Sequence, residues 1–235
     1  MWSIESTNAL GRIAVPPFVP SGFAVFCTTR DFDGRLSGDR ADLFSTVARE
    51  RFGVDATLAT CTQVHGVTVH RATHEGAWRE CDSCDALWAD HRGAALGIKI
   101  ADCLPVALLD PANAIVANAH SGWRGAVAGV TAAALDASNV DPTSSFAYLG
   151  PSIRVCCFEV GEEVASQFDA RYIDRTRAKA HVDLVQFTID ILRDRGFTDD
   201  RISDSELCTR CDGSIFHSYR RDKEARGRNL QIAAM

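Results

Sequence analysis

A cysteine and a histidine lie at positions 103 and 120, on either side of a sequence that is typical of a β-hairpin. Cys103 precedes the apolar run 106–109, and His120 follows the apolar run 115–119. Between the runs, Asp110 and the Pro-Ala-Asn that follows it suit a type I turn. If Asp110 faces Asn113, Cys103 lies opposite His120, with Cα atoms about 4.5–5.5 Å apart. A thiol and an imidazole this close form either a metal site or a nucleophile with its base.

His65, in the sequence Gln-Val-His-Gly, is a candidate third member of this group. One thiolate and two imidazoles suit zinc or copper better than magnesium or calcium. Three protein ligands and a water are typical of catalytic zinc, whereas structural zinc usually has four protein ligands. Copper is the weaker alternative, because methionine occurs only at positions 1 and 235 and the sequence has no His-x-His pair. We therefore expect His65, Cys103 and His120 to bind Zn²⁺.

Two other interpretations of these residues remain open. In a metal-independent hydrolase, Cys103 would be the nucleophile, His120 its base, and Asp102 or another acid the residue that orients the base. His65 would then have no role. In a metal-binding protein without activity, a fourth protein ligand would close the site, and its candidates are His70, His74 and His91.

Glycines flank a tryptophan and an arginine directly after His120, in the sequence Ser-Gly-Trp-Arg-Gly. Backbone N–H groups at a helix start, together with Arg124, can bind an anion such as phosphate. A tight strand-to-helix turn with a surface arginine is an interpretation of equal weight. Three aromatic residues are candidates to stack on a flat ring, although aromatic side chains more often belong to the core: Trp123, Phe216 and Tyr219. A group of cations near the C-terminus is more typical of a solvated face than of an anion site: Arg220, Arg221, Lys223, Arg226 and Arg228.

The chain has nine cysteines, and four of them form two Cys-x-x-Cys pairs. Two such pairs are the signature of a zinc ribbon when a short segment joins them. Here a long segment separates Cys81–Cys84 from Cys208–Cys211, so we interpret both pairs as reduced thiols in loops. The adjacent Cys156 and Cys157 also argue against an ordered disulfide framework, and we expect reduced cysteines in the cytoplasm.

Composition excludes several classes of protein. The 235 residues suffice for one well-buried core, and 46% hydrophobic with 24% charged residues is typical of a soluble globular protein. The net charge of −6 without a basic stripe argues against a nucleic-acid partner. The sequence contains neither an apolar stretch of about 18 residues nor the features of a signal peptide, so no membrane association is expected. We expect one catalytic domain over residues 1–235, a monomer or homodimer, with residues 1–20 as a loosely ordered extension.

In the predicted secondary structure, strands follow one another in groups and the helices are inserted later, so strands and helices do not alternate regularly. Apolar spacing predicts four helices: 41–52, 125–138, 161–172 and 182–195. Strands are expected in the hairpin, as two short strands within 58–72, and over four further segments: 22–30, 86–89, 94–100 and 145–149. An arrangement of this kind predicts an α+β fold with mixed α/β layers.

Several short sequences occur in the order that one known protein family shows: TQVHG at 62–66, ADCLPV at 101–106, AHSGWRG at 119–125, LGPSI at 149–153 with FEVG at 158–161, and FHSYRRDK at 216–223. From Ser21 to its C-terminus the chain resembles the family long described as multicopper polyphenol oxidoreductases (laccases). That family is now associated with zinc-dependent purine nucleoside phosphorylase activity.

The resemblance implies a zinc enzyme that acts on purine nucleosides. The family's zinc ligands correspond to His65, Cys103 and His120. Its members phosphorolyse adenosine, inosine, guanosine and methylthioadenosine, and they deaminate adenosine. Its fold is a layered α/β sandwich, so we expect mixed sheets with helices outside. Copper-dependent phenol oxidation is the weaker alternative.

The resemblance also implies candidates for the remaining site residues. Arg30 matches an arginine that lines the family's site, although Thr28 stands where the family has serine. We expect nucleosides and phosphate as partners, bound by Arg30, Gln63, Arg124 and Arg220. Asp102 is the candidate for a general acid that protonates the departing base, or for the residue that orients a histidine.

Overall fold

The computed structural model of the chain describes residues 1–73, 79–223 and 227–235. His74 and Arg226, which the sequence analysis named, lie outside the described residues. Within these ranges the structure has fifteen strands: β1 Ser3–Thr7, β2 Gly11–Val15, β3 Ala24–Thr28, β4 Thr57–Cys61, β5 Val69–Arg71, β6 Arg79–Cys81, β7 Ala86–Ala89, β8 Ala94–Ile100, β9 Leu104–Asp110, β10 Ile115–Ser121, β11 Phe146–Leu149, β12 Ile173–Asp174, β13 His181–Val182, β14 Ile202–Asp204 and β15 Asn229–Ala234. It has six α-helices: α1 Ala41–Phe52, α2 Trp123–Ala128, α3 Val130–Ser138, α4 Glu162–Ala165, α5 Leu184–Asp194 and α6 Tyr219–Asp222.

The strands form two large mixed sheets and a small third one. The seven-stranded sheet has the order β1-β2-β3-β15-β8-β4-β6, and the six-stranded sheet has the order β14-β11-β9-β10-β7-β5. Neighbours are antiparallel except for β4 with β6 and β8, β5 with β7, and β11 with β14. The antiparallel pair β12–β13 is separate. These mixed sheets, together with the helices, confirm the predicted α+β fold.

The two large sheets pack face to face, and helices cover their outer faces. Apolar side chains from both sheets form the inner core, including Leu96 and Ile98 on β8 and Leu109 and Val116 on the hairpin. Helix α1 packs on the outer face of the seven-stranded sheet, and α3 and α5 pack on the outer face of the six-stranded sheet. Because both faces of β9 and β10 are covered, every residue of these strands is buried. The architecture is the expected layered sandwich with helices outside.

The hairpin β9–β10 is confirmed, but its predicted register is wrong by two residues. Asp110 pairs with Ile115, and His120 pairs with Pro105. The Asp110 carboxylate accepts hydrogen bonds from two backbone N–H groups of the loop, and the last loop residue adopts a φ of 53°. This local bonding makes the loop longer than a two-residue turn. Cys103 therefore precedes β9 and does not lie directly opposite His120.

The sequence predicts α1, β7 and β8 with their observed bounds, whereas two predicted helices are interrupted. The segment 125–138 breaks at Gly129, whose φ of 93° separates α2 from α3. The segment 161–172 contains only the short α4 and a 3₁₀ turn at Ala170–Tyr172. The Asp169 side chain accepts a hydrogen bond from the backbone N–H of Arg171, and such local bonds compete with a continuous helix.

The N-terminal segment, expected to be a loosely ordered extension, forms the first two strands of the seven-stranded sheet. Trp2 is buried, and its indole N–H donates to the Ser203 hydroxyl at 3.1 Å. Ile13 and Val15 are also buried. This apolar burial explains why the segment is part of the sandwich. Among the described helices, none combines the length and apolar composition that a membrane span requires.

Candidate metal centre

Two chain segments cross from the seven-stranded sheet to the six-stranded sheet at one end of the sandwich. The segment from β4 to β5 carries His65, and the segment from β8 to β9 carries Cys103. His120 lies near the end of β10, on the same face as Val116, whose side chain belongs to the core between the sheets. The two crossings and the strand end therefore bring the three predicted ligands together.

Each crossing contains a non-glycine residue in the left-handed region of backbone conformation. The φ of His65 is 63°, and that of Asp102 is 93°. Hydrogen bonds of Asp102 hold the segment from β8 to β9 in place. Its carboxylate accepts from the Thr209 hydroxyl at 2.7 Å and from the Arg220 backbone N–H at 2.6 Å. Such strained conformations persist where the surrounding structure imposes them, and they are common at functional sites.

A buried carboxylate that the sequence analysis did not identify, Asp85, fixes two of the ligands. Its Oδ1 accepts from the backbone N–H of His65 at 2.9 Å and lies 2.8 Å from Nδ1 of His120. Its Oδ2 accepts from the backbone N–H of Gly66 at 2.6 Å. Burial opposes ionisation of Asp85, but the hydrogen bonds from His120 and from the backbone hold its pKa below the usual value. Asp85, and not Asp102, is therefore the acid that orients a histidine.

The contact with Asp85 determines which nitrogen of His120 can bind a metal. An ionised carboxylate only accepts hydrogen bonds, so Nδ1 of His120 carries the hydrogen. In the neutral imidazole, Nε2 then has a free lone pair. Ligating histidines in proteins commonly donate their other ring nitrogen to a carboxylate in this way. Asp85 directly precedes β7, the strand that pairs with β10, so its place beside His120 depends on a strand pairing that the sequence alone does not show.

The distances between the donor atoms suit a single metal ion. Sγ of Cys103 lies 3.9 Å from Nε2 of His65, and the ligand atoms of all three residues lie within 4.8 Å of one another. A tetrahedral zinc ion with its usual bond lengths separates a sulfur and a nitrogen ligand by about 3.6 Å. Within the described part of the chain, this group of His, Cys, Asp and Glu has three members. The three residues fit the open ligand set of a catalytic metal.

Gly122 allows the ligands to approach one another. A Cβ at this position would lie 2.9 Å from Sγ of Cys103 and 3.1 Å from Cδ2 of His65. Real Cβ atoms essentially never come as close as the first distance, so any side chain at residue 122 would displace Cys103.

The electrostatics of the group favour the metal-binding form of the cysteine. Burial of the Cys103 sulfur opposes ionisation, but His120 and His65 outweigh it and lower the thiol pKa. Burial similarly opposes the charged form of His120, whereas Cys103 and Asp85 raise its pKa. The arrangement stabilises a thiolate, which is the form that binds metals.

The three residues lie in a cleft of about 530 Å³. This volume lies within the range of small-molecule sites. The lining combines polar and aromatic side chains, among them Gln63, Lys99, Trp123, Phe158, Tyr219 and Arg220. Gln63 is held in place by two hydrogen bonds to the backbone of Lys99, 2.7 and 2.9 Å long.

The predicted site residues divide into two groups. Asp102, Gln63, Trp123 and Arg220 line the cleft with the three metal-ligand candidates, as does Tyr219. Three predicted residues do not line it: Arg30, whose guanidinium donates to the Gly213 carbonyl, Arg124, which packs on the Trp123 ring, and Phe216, which is fully buried. The cleft instead contains two cations that the sequence analysis did not assign to it, Lys99 and Arg228.

A known protein family matches most of the chain. Residues 38–235 match the model of the family described as "Multi-copper polyphenol oxidoreductase laccase". The chain belongs to this family. The resemblance inferred from the sequence is thereby confirmed.

Named relatives of the family are enzymes that act on nucleosides. The Escherichia coli purine nucleoside phosphorylase YfiH is 30% identical over 226 residues, which cover 93% of this chain and 88% of the relative. The adenosine deaminase RL5, from an unknown prokaryotic organism, is 31% identical over 85% of this chain and 89% of its own length. A crystal structure of a Neisseria meningitidis protein matches with a TM-score of 0.79 and 27% identity, covering 95% of this chain and 98% of that one.

Proposed function

We propose that this chain is a zinc-dependent purine nucleoside phosphorylase that also deaminates adenosine. The observation that carries the proposal is the group His65, Cys103 and His120, which lies in a cleft of nucleoside size. Its three donors leave room for a non-protein ligand, as catalytic zinc sites do. Relatives named as a purine nucleoside phosphorylase and as an adenosine deaminase support the choice of substrate class.

Zinc held by the three residues would supply Lewis-acid chemistry and lower the pKa of a water molecule. The chain's own residues position this chemistry. Asp85 keeps His120 in one tautomer and fixes the backbone of His65. Asp85 and His120 are both buried, so water does not compete for their contact and His120 is held in place before a substrate arrives.

Aromatic side chains of the cleft provide a place for the purine base. Trp123 and Tyr219 line the cleft together with the buried Phe158. Flat rings stack favourably on aromatic faces, and apolar burial adds to the affinity. We propose that the base lies among these three side chains and that selectivity for purines comes from their shape.

Arg220 is our candidate for the residue that binds phosphate in phosphorolysis. Its guanidinium lies in the cleft and donates to the Glu159 carbonyl at 2.8 Å. Asp102 accepts from the backbone N–H of Arg220 and so fixes the start of α6, which carries this arginine. Asp102 is therefore proposed to be a positioning residue. Phosphate attacks C1′ of the ribose as the bond from C1′ to the base nitrogen breaks, the departing base takes a proton from solvent, and a guanidinium offsets the phosphate charge.

Product analysis tests the proposal. Metal-replete protein incubated with adenosine and phosphate should release adenine, and without phosphate it should form inosine. Chelation should abolish both reactions, and added zinc should restore them. If metal-replete protein converts adenosine to neither product, the proposal is wrong.

A metal-independent hydrolase is the second candidate, and one observation favours it. Cys103, His120 and Asp85 are arranged as a thiol, an imidazole and an orienting carboxylate, and the pKa of the thiol is lowered. The two candidates differ in their response to a chelator. A hydrolase would retain full activity after chelation and lose it on alkylation of Cys103, whereas the zinc enzyme loses activity in both cases.

A further inference from the structure

Four cysteines outside the cleft form a compact group. Cys156 and Cys157 lie in the turn that follows Arg154, and Cys208 and Cys211 lie in a turn after β14. Their four sulfur atoms lie within 4.8 Å of one another. Cys208 and Cys211 are free thiols in a turn, as expected, but the sequence analysis did not anticipate that they lie beside Cys156 and Cys157. The other Cys-x-x-Cys pair does not join the group, because Cys84 is buried beside Cys61.

The distances between the sulfur atoms suit a tetrahedral ion and not a disulfide. Sγ of Cys156 lies 3.7 Å from the sulfurs of both Cys208 and Cys211, and Sγ of Cys157 lies 3.3 Å from that of Cys211. Four thiolates around one zinc ion, each at about 2.3 Å, are about 3.8 Å apart. A disulfide would require about 2.05 Å. The geometry points to a second metal centre, a structural zinc ion bound by Cys156, Cys157, Cys208 and Cys211.

Backbone hydrogen bonds preform the turn that carries two of the ligands. The Cys208 carbonyl accepts from the backbone N–H of Asp212 at 2.9 Å, and the Asp212 carboxylate accepts from the Cys208 N–H at 3.2 Å. This closed turn directs the side chains of residues 208 and 211 to one point. Two arginines lie beside the group: Arg210 interacts with the Cys157 sulfur, and Arg177, which pairs with Asp174, donates to the Cys156 carbonyl at 2.8 Å.

The ion would join two loops that form one wall of the cleft. Ile153 and Phe158, on either side of the first cysteine pair, line the cleft. In the second loop, Thr209 lies between the cysteines and donates its hydroxyl to Asp102. The two loops also meet through the backbone, since the Thr209 N–H donates to the Ser152 carbonyl at 3.0 Å. A metal ion here fixes the wall without contacting a substrate.

Metal analysis under reducing conditions tests this site independently of any catalytic activity. A Cys103→Ser protein, which has lost the first metal site, should still bind one zinc ion per chain. Adding Cys156→Ser and Cys211→Ser should remove that ion, whereas adding Cys81→Ser, in the other Cys-x-x-Cys pair, should not. With cobalt in place of zinc, the Cys103→Ser protein should show the charge-transfer absorption of thiolate ligands. A Cys103→Ser protein that binds no metal, or that keeps its zinc when Cys156 and Cys211 are replaced, would overturn the proposal.

Alkylation of the wild-type chain provides a second test that does not depend on how the variants fold. In the zinc-loaded protein, Cys156 and Cys211 should resist alkylation although they are exposed, and chelation should make them reactive. Mass spectrometry of the peptides measures both states. Equal alkylation with and without the chelator, or disulfides among these cysteines in freshly purified protein, would contradict a metal centre.

Discussion

Replacing Asp85 with asparagine should weaken metal binding at the centre formed by His65, Cys103 and His120. The carboxylate holds both histidines, through contacts of 2.9 Å to the His65 N–H and 2.8 Å to Nδ1 of His120. Loss of a residue that orients a metal ligand typically reduces affinity by about 10–100-fold. That range corresponds to about 1.4–2.8 kcal/mol of binding free energy.

The same substitution should also destabilise the metal-free protein. Asparagine has one acceptor oxygen, so an NH₂ group must face one of two pairs of donors. These are the N–H groups of His65 and of Nδ1 in His120, or the backbone N–H groups of Gly66 and Val64, now bonded to Oδ2 at 2.6 and 3.2 Å. A buried donor without a partner costs about 1–3 kcal/mol. For two such donors, the free energy of unfolding should fall by about 2–6 kcal/mol.

Asp110→Asn is the matched control. Asp110 is also fully buried and accepts hydrogen bonds from backbone N–H groups, but it lies at the other end of β9. At the rise of a β-strand, that end is about 20 Å from Leu104. We expect Asp110→Asn to reduce stability by a similar amount and to leave metal affinity unchanged.

Titration of zinc against a chromophoric chelator measures the affinity, and urea unfolding measures the stability. Both variants are made in a chain that also carries Cys156→Ser and Cys211→Ser. The measured zinc affinity then comes from the centre formed by His65, Cys103 and His120 alone. The orienting role of Asp85 is refuted if Asp85→Asn binds zinc as tightly as the parent protein. It is also refuted if Asp110→Asn weakens binding equally, because the effect would then come from general instability.

Three further predictions concern the cleft and the stability of the fold. Gly122→Ala should reduce zinc affinity at least about tenfold, because the new Cβ would lie 2.9 Å from Sγ of Cys103. Equilibrium dialysis measures the affinity, and an unchanged value would contradict the packing argument. Arg220→Gln should raise the KM for phosphate by at least about tenfold, since a hydrogen bond between charged groups contributes about 1.5–3 kcal/mol, whereas Arg124→Gln, outside the cleft, should change it little. The Arg12 guanidinium holds the pKa of Asp31 at about 2, below the unfolded value of about 3.9. The stability that this pair contributes is therefore present above about pH 4 and lost as the pH falls toward 2. Arg12→Gln should lower stability slightly at neutral pH, with a smaller effect in acid, as measured by urea unfolding.

The sequence was most informative where a local pattern alone determines the structure. Helix α1 has regular apolar spacing and ends before a glycine, and both bounds are predicted. The buried strands β8–β10 are apolar runs separated by turn residues, and they too are predicted. The N-terminal strands were missed because their burial depends on contacts with distant residues, such as that of Trp2 with Ser203.

The site could be predicted as a set of residue types but not as a geometry. Cysteine and histidine indicate their chemistry by type, so His65, Cys103 and His120 were identified from the sequence. Asp85 and the four-cysteine group require knowledge of which strands and loops are neighbours, and one sequence does not contain that information. The register of the hairpin was wrong for a related reason, because the Asp110 side chain determines the length of the loop.

The most direct test of the central claim is adenosine turnover by metal-replete Cys103→Ala protein in the presence of phosphate. Cys81→Ala is the control, because Cys81 belongs to neither of the two groups of possible metal ligands. If the three residues hold a catalytic metal, Cys103→Ala should lose that ion and release no adenine, whereas Cys81→Ala should match the wild type. Adenine release by Cys103→Ala at the wild-type rate would contradict the account.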